Sequence, residues 1–191
     1  MRKLLMLATL LVSGVAASNA QTSQTANISV TVSDIKTITI NSGAAPGFAI
    51  NSAANFTAVS GATGLAASTA TNITVVSRGA YKVKAVLSGD LTNATATNGA
   101  GTIPGNKLGI SVSGATTQSG ETAPTVISAN TVFTVGGGTI ADIVKTSSTG
   151  NAGGTLGTTF NVNYKLANFP GVINLATGSF TANVVYTIEA N

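Results

Sequence analysis

Asp34, Asp90, Glu121, Asp142 and Glu189 are the five carboxylate side chains of the sequence. They lie far apart along the chain, and none falls in an Asp-rich loop of calcium-binding spacing. A glycosidase needs two carboxylates flanking one bond, and no motif here marks such a pair. Histidine and cysteine are both absent. Their absence removes the usual nucleophilic triads, the thiolate nucleophile, zinc and copper sites and the commonest general base. Gly136-Gly137-Gly138 and Gly153-Gly154 lack the Gly-Lys-Ser/Thr ending that cradles a phosphate, so they read as turns. Each carboxylate reads as a solvated turn or edge residue. The expectation is a protein that is not an enzyme, with no catalytic, cofactor-binding or metal-binding residues.

Binding chemistry is sparse as well. The chain carries nine Lys/Arg and five Asp/Glu, and without Arg2 and Lys3 the excess is about +2. The remaining cations are scattered from Lys36 to Lys165, whereas nucleic-acid binders need a dense basic face. No nucleic-acid partner is expected. Of the nine aromatic residues, Tyr81, Phe160, Tyr164, Phe180 and Tyr186 sit on the apolar face of their own alternating segments. Core packing is the better reading for these than sugar stacking. Phe48, Phe56 and Phe169 fall in less regular segments and are the better candidates for exposure. Tryptophan is absent.

The elements that hold these residues are strands. Period-two alternation recurs along the chain. Ile28, Val30 and Val32 alternate with hydroxyl residues, and the same phase returns at Ile38 and Ile40. Asp34 to Lys36 interrupts it and reads as a bulge or corner. Ile73 and Val75 open the next strand, and Ser77-Arg78-Gly79-Ala80 reads as a turn. Tyr81, Val83, Ala85 and Leu87 follow, then Leu108, Ile110 and Val112. Weaker candidates span 131–135 and 140–144. Phe160, Val162, Tyr164 and Leu166 alternate cleanly, and Phe180, Ala182, Val184, Tyr186 and Ile188 form the clearest run. No segment after the first twenty residues shows a sustained helical period. The stretches 92–106 and 147–158, rich in Thr, Asn, Ala and Gly, are expected as loops.

This pattern predicts an all-β protein. About seven to nine strands, each with one buried face, form an antiparallel immunoglobulin-like β-sandwich; a closed barrel is the alternative. The predicted centre holds Tyr81, Val83, Ile110, Phe160, Val162, Phe180, Val184 and Tyr186. Cysteine supplies no covalent staple, so stability must come from core and ladder.

The N-terminus reads as an export signal. Arg2 and Lys3 precede the apolar run from Leu4 to Val12, and Ser18-Asn19-Ala20 offers small residues at the positions a signal peptidase accepts. Cleavage after Ala20 is expected, leaving one domain over 21–191 with no membrane span. The run is too short for the ~30 Å core of a bilayer. The expected location is the periplasm, the outer cell surface or the extracellular medium.

At its two ends the chain resembles the cysteine-free fimbrial subunits that Gram-negative bacteria assemble by the chaperone–usher route. Thr25-Ala26-Asn27-Ile28-Ser29-Val30-Thr31-Val32 looks like their alternating donor segment. Gly178-Ser179-Phe180-Thr181-Ala182-Asn183-Val184-Val185-Tyr186-Thr187-Ile188 looks like their last strand. The resemblance implies a structural subunit whose incomplete sandwich is completed by the N-terminal strand of another copy or a related subunit, with a periplasmic chaperone as a further partner. It makes Ile28, Val30 and Val32 the donor row. Tyr81, Val83, Phe160, Val162, Tyr164, Phe180, Val184 and Tyr186 become the core or acceptor groove. The same segment, 21–33, reads more readily as the first strand of its own sandwich, because N-terminal strands usually pair within their own domain.

Tyr81-Lys82-Val83 and Tyr186-Thr187-Ile188 also resemble the two Trp-x-Leu positions of WxL-type cell-surface domains, with tyrosine at each tryptophan. The alternative function is therefore a monomeric module that binds cell-wall components or glycans.

Overall fold

The computed structural model describes residues 29–31, 33, 35–116, 123–146 and 157–191. The expected signal segment, Ile28, Val32, Asp34 and Glu121 lie outside the described residues. The chain divides into two units, 1–33 and 34–191. In the first unit the described residues carry no strand, and Val30 is 80% exposed.

The second unit is mostly β. Its strands are β1 (Lys36–Ser42), β2 (Leu65–Ala66), β3 (Thr71–Ser77), β4 (Tyr81–Leu87), β5 (Leu91–Thr92) and β6 (Thr102–Ile103). They continue with β7 (Leu108–Thr116), β8 (Thr125–Val126), β9 (Thr131–Val132), β10 (Gly138–Lys145), β11 (Thr158–Leu166) and β12 (Val184–Ala190). One sheet runs β1-β3-β11-β7-β9, with β2 also on β11; a second runs β12-β4-β10-β8; β5 and β6 form a small pair. All ladder pairings are antiparallel. Among the described residues seven strands have seven to nine residues and the other five have two. No described helix is long and apolar enough to cross a membrane.

Alternation places the core. Ile73 and Val75 of β3 and Phe160 and Val162 of β11 are fully buried from the first sheet. Tyr81, Val83 and Ala85 of β4 are fully buried from the second, and all belong to one apolar cluster. The segment Ser77–Ala80 is a turn, but it passes the chain from the first sheet to the second rather than closing a hairpin. Ser77 Oγ donates to the Gly79 carbonyl at 2.8 Å.

In β10 the register jumps between Ile140, opposite Ala85, and Val144, opposite Val83. Four steps on β10 therefore match two on β4. Asp142 takes a positive φ of 52° inside this bulge, and the adjacent Ile143 and Val144 are both fully buried. A bulge of this kind re-aims side chains, and it accounts for the weak alternation of 140–144 in the sequence.

Two expectations need correction. A helix does occur, α1 (Ala53–Ser60). Ser52 caps it by accepting from the Asn55 N–H at 3.2 Å, and Val59 is fully buried while Phe56 is half-buried. Phe56 and Val59 mark one face, three residues apart, but eight residues are too few to display a sustained period. The stretch 92–106 is not all loop, because β5 and β6 pair Leu91 with Ile103 and Thr92 with Thr102. Leu91 and Ile103 are buried beneath that pair, which gives the short ladder its anchor.

Asp90 does more than sit solvated in a turn. One of its carboxylate oxygens accepts the Gly105 and Gly136 N–H groups, each at 2.6 Å. Charge-assisted bonds to backbone donors are the strong class, so Asp90 fastens three loops at one end of the sheets.

Candidate assembly groove

β1 stands at the margin of the first sheet and β12 at the margin of the second. Among the described residues β1 pairs only with β3, and β12 only with β4. Among the described residues each strand therefore presents one edge without a ladder strand alongside, the kind of edge that can template another strand.

The side chains match that arrangement. Phe180, Ala182, Val184, Tyr186 and Ile188 pack against the core but stay half-buried. On β4, one strand further in, Tyr81, Val83 and Ala85 are completely covered. On β1, Ile38 is half-buried and Ile40 remains 44% exposed. The two margins thus hold apolar rows that the fold covers incompletely. The two margins approach one another, and a cavity of ≈ 840 Å³ beside them is lined among others by Ile40, Phe48, Phe56, Leu175, Phe180 and Tyr186.

The margins run in opposite directions. Lys36 pairs with Ser77, the corner leads to Tyr81, and Tyr81 pairs with Ala190. The start of β1 and the end of β12 therefore share one pole. A strand entering the groove must be antiparallel to one margin and parallel to the other.

The floor of the cavity carries a hydroxyl chain. Thr71 Oγ1 lies 2.6 Å from the Gly43 carbonyl, to which it donates, and 2.9 Å from the Tyr164 hydroxyl. Tyr164 is in turn hydrogen-bonded to the Tyr186 hydroxyl. Thr71 and Tyr164 belong to the first sheet and Tyr186 to the second, so the chain ties the two layers under the groove. Burial pushes the Tyr186 phenol far above its usual range, and the neighbouring Tyr164 pushes it the same way.

The sign of this effect on stability follows directly. A phenol held neutral by the fold contributes fully below the unfolded-state value of about 10, and that contribution is lost as pH rises above it. Denaturant titrations from about pH 9 to about pH 12 should show wild-type stability falling more steeply than that of Tyr186→Phe, by up to ~1.4 kcal/mol per pH unit. Equal slopes would show that the fold does not hold this phenol neutral.

The residues singled out in the sequence separate into two groups. Tyr81, Val83, Phe160 and Val162 are fully buried, and Tyr164 nearly so. Phe180, Val184 and Tyr186, expected at the centre, are half-buried instead: Val184 and Tyr186 because, among the described residues, no strand lies beyond β12 on the second sheet, and Phe180 because the last strand begins at Val184 and leaves it outside the ladder. Of the donor row, Val30 alone is described; Ile28 and Val32 are outside the described residues. Phe48, Phe56 and Phe169, expected as exposed, are half-buried against the core. Phe48 and Phe56 line the cavity.

Comparison with protein-family models, with curated proteins and with solved structures finds no match. The geometry of the groove is what any functional reading must stand on.

Sequence reasoning missed one part of its lining, the segment from Ala44 to Ile50. The alternation Phe48-Ala49-Ile50 was its only signal, and Pro46-Gly47 read simply as a turn. The described carboxylates lie apart from it. Glu189 pairs with Lys84 at 2.7 Å and Lys82 at 3.9 Å. Asp142 faces Lys145 at 3.5 Å, and Asp90 is held among the loops. None of the three lines the cavity.

Proposed function

We propose that this chain is an exported structural surface subunit, fimbria-like, that associates by β-strand addition. In this reading residues 34–191 are an immunoglobulin-like sandwich lacking one strand. The carrying observation is the groove itself, where two opposed sheet margins each combine an edge without a ladder partner with an incompletely covered apolar row. Every other long strand of the described unit has partners on both sides.

The proposed occupant is the segment Ala26 to Ser33 of another copy. It alternates Ile28, Val30 and Val32 with Asn27, Ser29, Thr31 and Ser33, so one face is apolar and the other polar. Strand addition draws affinity from main-chain hydrogen bonds and register from alternate side chains. Burying three such side chains at roughly 1.5–3 kcal/mol each, together with the ladder, gives a long-lived joint. The exposure of Val30 outside any strand agrees with a segment available to a partner. Export follows from the basic and apolar N-terminus, with a chaperone shielding the groove before assembly.

The second reading is a monomeric glycan-binding module, favoured by Phe48 and Phe56 in the cavity lining. Light scattering and negative-stain microscopy separate the two. The chain from Gln21 should form linear oligomers, and the chain lacking 21–33 should remain a folded monomer. A full chain that stays monomeric at high concentration, with residues 26–33 protected from amide exchange, would place that segment within its own domain and defeat self-assembly. Glycan binding by that monomer, lost on substitution of Phe48 or Phe56, would favour the module.

A further inference from the structure

We propose that Asn98 is a site of spontaneous backbone modification through a succinimide, built into the wall that supports one end of the groove. Asn98-Gly99 is the single Asn-Gly pair in the sequence. Both residues are exposed, at a bend between β5 and β6. Glycine after asparagine leaves no Cβ to crowd the asparagine side chain, and Gly99 takes a φ of 111° that other residues rarely adopt. Other asparagines are held differently. Asn93 is buried, its amide donates to the Thr177 carbonyl at 3.1 Å and its side-chain oxygen accepts from Thr95. Asn72 and Asn161 bond each other across the first sheet at 2.8 Å.

The reaction needs only water. The backbone nitrogen of Gly99 attacks Cγ of Asn98 and loses its proton. The new N–Cγ bond forms as the Cγ–Nδ2 bond breaks and ammonia leaves. Water then opens the imide at either carbonyl, giving aspartate or its β-linked isomer. No electron is gained or lost.

The consequence is set by the next residue. The Ala100 N–H donates to the Asn174 carbonyl at 2.7 Å, and the Ala100 carbonyl accepts from Ala176 N–H at 3.0 Å. Gly99 itself lies against this segment so closely that a Cβ would come within 2.6 Å of the Asn174 oxygen. The β-linked product inserts one extra carbon into the main chain at residue 98, one residue before these contacts, and shifts the register of the chain that enters them. Leu175 and Ala176 line the cavity, so the modification loosens its wall.

The test is peptide mapping of the full chain after incubation at mildly alkaline pH, with fragmentation that distinguishes β-linked from ordinary aspartate. Asn98 should convert at least about tenfold faster than Asn93, and an Asn98→Gln chain should show no product there. Amide exchange at Ala100 and Ala176 should rise in the β-linked fraction. Survival of Asn98 while Asn93 converts would overturn the site. Unchanged protection at Ala100 and Ala176 would overturn its coupling to the groove wall.

Discussion

Phe160→Ala should cost about 3–5 kcal/mol, the range for deleting a fully buried aromatic side chain, whereas Phe180→Ala should cost clearly less. Both are phenylalanines on the apolar side of an alternating run, but Phe160 lies within β11 whereas Phe180 precedes β12. They differ in cover: Phe160 is fully buried between the sheets, and Phe180 is half-buried on the groove. Urea titration at constant m-value measures both. The informative result is the difference between them. Equal losses would mean that Phe180 is already enclosed by its own domain and that the groove offers it no further burial. In the proposed assembly, Phe180→Ala also lowers affinity for the incoming strand, an effect that Phe160→Ala at matched stability does not share.

The second large effect is stabilisation by the proposed incoming strand. A synthetic Ala26–Ser33 peptide should raise the melting temperature of the chain lacking 21–33. At a peptide concentration of about 100 Kd, binding to the folded state alone contributes about 2.7 kcal/mol. For a domain of this size that corresponds to a shift of about 5–10 °C. The same peptide with Val30→Asp should give no shift, since a carboxylate would enter an apolar row without a partner. A shift of the same size with the aspartate peptide would show that the peptide binds somewhere other than the apolar groove.

The strands were legible where alternation is uninterrupted. β3, β4 and β11 bury every second residue without a break, and the sequence reads that way. β10 was harder, since the extra residues around Asp142 put neighbouring Ile143 and Val144 on the same buried face. α1 was illegible because one helical turn of apolar spacing, Phe56 to Val59, falls within the reach of chance. Burial was misjudged at β12 for a different reason. Alternation identifies which face of a strand is apolar, but it does not reveal whether another strand lies alongside. Val184 and Tyr186 share the pattern of Tyr81 and Val83, yet among the described residues β4 has neighbours on both sides and β12 on one, and Phe180 falls short of the strand altogether. Sheet order is a tertiary property, and it decides whether an apolar row becomes core or groove. The role of Asp90 was hidden likewise, since its two glycine partners lie 15 and 46 residues away.

Amide hydrogen exchange, residue by residue, tests the central claim most directly. The chain lacking 21–33 is measured alone and with saturating Ala26–Ser33 peptide. Strand addition between the two margins predicts new protection on β1 and β12, at amides pointing away from β3 and β4, and on peptide amides facing both margins. Protection at β8 or β9 on the opposite margins, or none on either β1 or β12 with the peptide bound, would contradict it.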